Sequence, residues 1–161
     1  MKISKKIFII LLLIYSVSFT YSSNLVFSDE KYVYVVPEDF FNEGLDYYEK
    51  SLRKSGMKNL EFRINQENLS ISGKYNIFPF DVNFEIYRID DVTYQIRITK
   101  FVFYGFIQYS KNRLAGMVVQ AFSSNPEFAS YIALERNNST ITVRAVNGLG
   151  SIFPEKFRHS L

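Results

Sequence analysis

The chain has 161 residues, room for one ordinary domain, and its 47% hydrophobic and 22% charged content is that of a globular protein rather than a disordered one. The absence of cysteine excludes a disulfide framework and a lipoprotein acylation site. Residues 1–23 hold three of the 19 basic residues and none of the 16 acidic ones, so the remainder carries sixteen of each and offers no electrostatic basis for nucleic-acid binding.

"MKISKKIFIILLLIYSVSFTYSS" reads as a targeting segment. Lys2, Lys5 and Lys6 precede an apolar run from Ile7 to Phe19, short for a membrane span and suited to a signal-peptide core. Thr20, Ser22 and Ser23 supply small residues for cleavage. The segment is either a cleaved signal or a retained N-terminal anchor, and either places the domain, residues 24–161, outside the cytoplasm in the periplasm or cell envelope.

"KYVYVVP" (Lys31 to Pro37) predicts a strand, with Pro37 then opening a helix whose first turn carries Glu38 and Asp39. Phe41, Leu45, Tyr48 and Leu52 form one helical stripe, widened by Phe40 and Tyr47, and Gly56 ends it. Four strands follow. They place Leu60, Phe62 and Ile64, then Leu69, Ile71, Tyr75 and Ile77, then Phe80, Val82, Phe84 and Ile86, then Tyr94, Ile96 and Ile98 on a dry face. Gly73 marks a bulge or bend, and Phe78–Pro79 an extended bend or an edge position. "SKNRLAGMVVQAFSS" predicts a helix capped by Ser110, with Leu114, Met117, Val118, Ala121 and Phe122 inward and Asn125–Pro126 as its stop. "EFASYIALE" and "STITVRAV" predict a hairpin around Asn137–Asn138. The tail from Asn147 predicts no element. The expected fold is α+β: a curved antiparallel sheet, meander plus C-terminal hairpin, wrapped around a long amphipathic helix, with a second helix.

One stretch breaks the pattern. "TYQIRI" alternates, but "TKFVFYGFIQY" (Thr99 to Tyr109) is apolar on both faces. If the phase continues, Lys100 falls on the dry face and Phe101 and Phe103 on the wet one. A bulge near Thr99–Lys100 returns both phenylalanines inward and Lys100 to solvent. Without a bulge, the outer face needs a cover. Core packing and the wall of an apolar ligand groove are both open readings of these rings.

The chemistry-bearing residues are sparse. His159 is the single histidine, two residues from the end, and with no Cys any metal site would rest on carboxylates. No nucleophile elbow or phosphate-cradling loop is present. Asp90–Asp91 reads as a turn. No catalytic residue, metal or cofactor is expected, and the chain is not expected to be an enzyme.

The order of elements, with "NLEFRINQENLSISGKYNIFPFDVNFEI", "FVFYGF", "RLAGMVVQAF" and "YIALERNNSTITVRAV", resembles the bacterial LmeA-like phospholipid-binding family and, more loosely, tubular lipid-binding (TULIP-like) folds. The likeness spans about Lys31 to Val146 and is carried by element order, Gly73, Phe78–Pro79 and "NNSTITV". It implies extracytoplasmic binding of phospholipid or another apolar ligand, without catalysis; a membrane surface is a separate candidate partner. The expected binding site is an apolar groove between helix and sheet, with acyl-chain contacts at Phe41, Leu45, Phe80, Phe84, Phe101, Phe103, Leu114 and Phe122, each of which also suits an ordinary core. Arg97, Lys100 and Lys111 are the expected head-group contacts. A ligand-free structural or protein-interaction module of the envelope is the alternative.

Overall fold

The computed structural model describes residues 24–47, 49–54, 56–65 and 68–161. The predicted leader, Tyr48 and the side chain of Leu52 lie outside the described residues. In chain order the elements begin with β1 (Asn24–Ser28), β2 (Tyr32–Pro37), α1 (Glu38–Tyr47), α2 (Glu49–Lys54), β3 (Met57–Ile64), β4 (Leu69–Tyr75) and β5 (Phe78–Arg88). They continue with β6 (Thr93–Phe103), β7 (Ile107–Gln108), α3 (Lys111–Ser123), α4 (Pro126–Ala129), β8 (Ile132–Asn137), β9 (Thr140–Ala145) and β10 (Arg158–Ser160), with 3-10 turns at Leu149–Ser151 and Glu155–Phe157 before β10.

The protein is α+β, and its sheets are antiparallel. A seven-stranded sheet runs β3-β4-β5-β6-β9-β8, with β7 folded back on the end of β6. The meander and the C-terminal hairpin are therefore one surface, joined where β9 pairs with the first half of β6. A smaller sheet, β1-β2-β10, packs beside it. Both longer helices address the same face of the large sheet: Phe41 and Leu45 from α1, and Leu114, Ala115, Val118 and Val119 from α3, pack with Phe62, Leu69, Val82, Phe84, Ile98, Phe101 and Ile141.

The pattern break resolves into a β-bulge. Val82 pairs with Phe101 and Asn83 with Lys100, but Phe84 pairs with Ile98, so Thr99 is an extra residue on β6. One inserted residue inverts a period of two, which puts Phe101 and Phe103 on the face of Ile98 and leaves Lys100 exposed. Val102, on the opposite face, is also buried, between Asp81 of β5 and Gln108 of β7.

Tertiary context redraws several predicted boundaries. Pro37 ends β2, and α1 starts at Glu38. Tyr47, expected to widen the helical stripe, is 72% exposed. Asn76 and Ile77 form a two-residue turn with Asn76 at φ 57°, so Ile77 is not a core position and Phe78–Pro79 belongs to β5. Gly73 faces a bulge on β3 rather than making one: a Cβ there would stand 2.6 Å from Leu60 Cδ2 and 3.1 Å from the Lys58 carbonyl. The buried stripe of α3 runs through Ala115 and Val119, and Met117 and Ala121 are exposed. Asn125 caps a new helical turn, α4, so Glu127–Ala129 is not strand. β1 was not predicted, and neither was the structure of the tail: Leu149 and Phe153 are buried with Phe27, Tyr34, Val36 and Tyr94, and His159 sits in β10 opposite Val33.

Side chains of α1 close the free edge of β3. Asn42 Nδ2 donates to the Phe62 carbonyl at 3.0 Å, and Phe62 N–H donates to Asn42 Oδ1 at 2.8 Å. Ile64 N–H donates to Glu38 Oε2 at 2.7 Å. The helix thus supplies what a further strand would, which satisfies backbone groups an edge leaves open.

Candidate functional site

The inner face brings together most of the expected acyl contacts, as a packed layer. Phe84 and Phe101 are buried, and Phe41, Leu45, Phe80, Phe103 and Leu114 are half-buried against them. The rings of Phe41 and Phe62 lie 4.7 Å apart and those of Phe101 and Phe103 5.1 Å apart, which are contact distances for aromatic pairs. Phe122 is elsewhere, stacked on Phe128 of α4 at 4.6 Å. Between α1–α2 and the start of β3, a pocket lined by Leu45, Asp46, Glu49 and Met57–Leu60 has a volume of about 30 Å³, room for a water or two and not for an acyl chain.

A larger cleft of about 240 Å³ opens at the far end of the sheet between β1 and β5–β6, lined by Leu25, Val26, Phe27, Ser28, Ile86, Arg88 and Tyr94. Its polar groups are already used. Ser28 N–H donates to Tyr94 Oη, Tyr94 O–H donates to the Ser28 carbonyl, and Arg88 donates to Ser28 Oγ at 3.0 Å and to Asp91. Burial is the main cause holding the Tyr94 phenol above its ordinary pKa, against the opposing bond with the Ser28 backbone. A ligand entering this cleft meets apolar side chains, and the Ser28, Arg88 and Tyr94 side chains that line it are already bonded within the protein.

The opposite end of the same sheet is where apolar surface meets solvent. The β4–β5 turn and the β6–β7 turn stand side by side there: Tyr75 pairs with Phe78, and Tyr104 N–H donates to the Pro79 carbonyl at 2.9 Å. Ile77 at 76% and Phe106 at 79% are the most exposed of the large apolar side chains among the described residues, and both are turn tips. Tyr75, Tyr104, Ile107 and Tyr109 are exposed around them. The rings form a continuous surface with the core: Phe78 lies 4.7 Å from Tyr104, and Tyr109 lies 5.5 Å from both Phe101 and Phe103. The left-handed backbone at Tyr104 (φ 55°) and Gly105 (φ 79°) makes the turn that projects Phe106. Half of this end, "YGFI", belongs to the stretch that breaks the sequence pattern; the other half, "YNIF", falls inside a predicted strand, and its signal is apolar residues at a turn, where polar ones are usual.

The three expected head-group residues separate. Arg97 is on the outer face of β6, bonded to Glu85 Oε2 at 2.5 Å and to Tyr87 Oη at 2.7 Å, with its guanidinium over the Tyr87 ring. The hydrogen bond from Tyr87 and then that from Arg97 hold the Glu85 carboxyl below its ordinary value, and the bond to Glu85 raises Tyr87. Arg97 is therefore neutralised in place. Lys100, beside the bulge, and Lys111, at the start of α3, are exposed and form no ion pair among the described residues. Arg113 donates to Tyr109 Oη at 3.2 Å. Among the described residues no three Asp, Glu or His side chains gather as metal ligands, and no helix is long and apolar enough to cross a membrane.

No family model, curated protein or solved structure matches the chain.

Proposed function

We propose that this protein is an extracytoplasmic lipid-binding module of the cell envelope, exported or tethered by residues 1–23, that meets lipid at the apolar end of its large sheet. The observation that carries the reading is the pair of adjacent turn tips, Ile77 and Phe106, at 76% and 79% exposure, with Tyr75, Tyr104 and Tyr109 exposed near them. Leaving such side chains in water is unfavourable by roughly 1.5–3 kcal/mol each relative to full burial, and apolar tips near tyrosines suit the boundary between head groups and acyl chains. The resemblance of the sequence's element order to LmeA-like and TULIP-like proteins points to the same ligand class. In this reading the sheet curls around the first helix, and Phe41, Leu45, Phe80, Phe84, Phe101, Phe103 and Leu114 form the rigid core behind the tip. Lipid is bound at that tip, and no bond is made or broken.

The test is flotation with vesicles of a bacterial total lipid extract, using protein as the expressing cell exports it. Replacing Ile77 and Phe106 together by serine removes roughly 2 kcal/mol of partitioning if half of each side chain enters the membrane, about thirtyfold in binding. Unchanged flotation of the double variant refutes the reading.

A further inference from the structure

We infer that the surface this end docks on is an anionic bilayer; the inference rests on the lipid-binding reading and names its partner. The ground for it is a segregation of charge in a domain whose charges otherwise cancel. Residues 68–80 and 99–126, which build the apolar end and its flank, contain Lys74, Lys100, Lys111 and Arg113 and no aspartate or glutamate. The nearest acid on these strands is Asp81, on the outer face opposite Val102, in register two residues behind Lys74 and two residues in front of Lys100. Lys74 stands nearest the tips: it pairs with Pro79, one strand residue (roughly 3 Å) behind the Tyr75–Phe78 pair that opens the Asn76–Ile77 turn, whereas Lys100 is three strand residues, roughly 10 Å, behind Phe103 at the base of the other turn. A head-group layer is roughly 5–8 Å deep on each side of a bilayer. With Ile77 and Phe106 at the acyl boundary, the Lys74 side chain reaches the level of the lipid phosphates, which Arg97 on the outer face, already paired with Glu85, does not serve. A zwitterionic surface satisfies the apolar tips alone. An anionic one satisfies the tips and the cations together, and each cation near such a surface contributes roughly fivefold in binding.

The chain has no tryptophan, so Phe106→Trp makes a single reporter at the tip itself. Full-chain protein carrying it is mixed with vesicles of phosphatidylglycerol or of phosphatidylcholine, both with brominated acyl chains. The expected result is a blue shift and bromine quenching with phosphatidylglycerol, weakened by salt and at least tenfold weaker when Lys74 and Lys111 are both replaced by glutamine. Equal quenching by both lipids, unaffected by salt or by the lysine changes, overturns the anionic partner and leaves lipid binding standing. A tryptophan that stays water-exposed with both lipids overturns lipid binding at this end as well. Circular dichroism confirms that each variant folds, and Ile77→Trp is a second reporter on the neighbouring turn that must give the same answer.

Discussion

Phe101 and Phe106 lie five residues apart in one apolar run, and the bulge at Thr99 assigns them opposite fates. Phe101 is 7% exposed, with ring centroids 5.1 Å from Phe103, 5.5 Å from Tyr109 and 6.4 Å from Phe80. Cutting it to alanine returns an aromatic side chain's burial and leaves a cavity that a layer of neighbouring rings fills only in part. The expected loss is about 3–5 kcal/mol, a large share of the ~5–15 kcal/mol that stabilises an ordinary domain. For a domain of this size that corresponds to a melting point lower by roughly 10–15 °C. Phe106→Ala, at a site 79% exposed, is expected within about 0.5 kcal/mol of the parent. Urea unfolding followed by circular dichroism reads both, with an unchanged m-value marking a comparable transition. Deleting Thr99 is the sharper arm. Because Thr99 is the extra residue, its removal leaves Ile98, Phe101 and Phe103 on the inner face and sacrifices only the local twist. In a regular strand the same deletion would turn every residue beyond it to the other face. Equal stabilities for Phe101→Ala and Phe106→Ala, or loss of folding on deleting Thr99, would refute the bulge as the device that orients this strand.

Three further outcomes follow from the packing. Asn42→Ala removes both partners of the Phe62 backbone at the β3 edge; a loss of about 2 kcal/mol is expected, with faster hydrogen exchange at the Phe62 amide, and unchanged exchange there would sink the edge-capping role. Gly73→Ala drives a methyl group into Leu60 and the Lys58 carbonyl, so a loss of about 1 kcal/mol is expected, and Gly73→Val is expected to lose more; a stabilised alanine variant would contradict the close approach. Tyr94 and Tyr34 have phenols raised above the ordinary value of about 10, in both cases chiefly by burial. A raised folded-state value means their contribution is complete below pH ~10 and is lost as pH rises toward and through the folded-state values. The urea midpoint should therefore fall above pH ~10, and less steeply in Tyr94→Phe; equal slopes would argue against Tyr94 as a titrating group.

The two faces of the meander were legible because a strand half covered by helices repeats with period two, and Phe62, Ile71, Val82, Phe84 and Ile98 follow it. The bulge was legible only as a conflict: Lys100 on the dry face signalled that the period had slipped somewhere near it. Which residue was extra is decided by pairing with β5, which no local pattern carries. β1 and β10 escaped for the same reason. They are short strands held by β2 and by the ring contacts of Phe27 with Phe153 at 4.7 Å, and those contacts join the two ends of the described chain. Of the head-group candidates, Arg97 reads in sequence like any exposed arginine. Its carboxylate partner is twelve residues away on the neighbouring strand, so its neutralisation appears only in the register.

The sequence by itself determined the class of the fold, the antiparallel meander with its closing hairpin, most of the apolar residues on the meander's inner face and the balance of charge once residues 1–23 are set aside. These depend on local period and composition, which survive in one dimension. Only the tertiary structure decided that "TKFVFYGFIQY" divides at its middle. Its first half turns inward behind a bulge to pack as core. Its second half doubles back beside the β4–β5 turn, so that residues thirty positions apart become one exposed apolar end. Strand pairing brings the two turns together, and strand pairing is a relation between distant segments that no single stretch of chain contains.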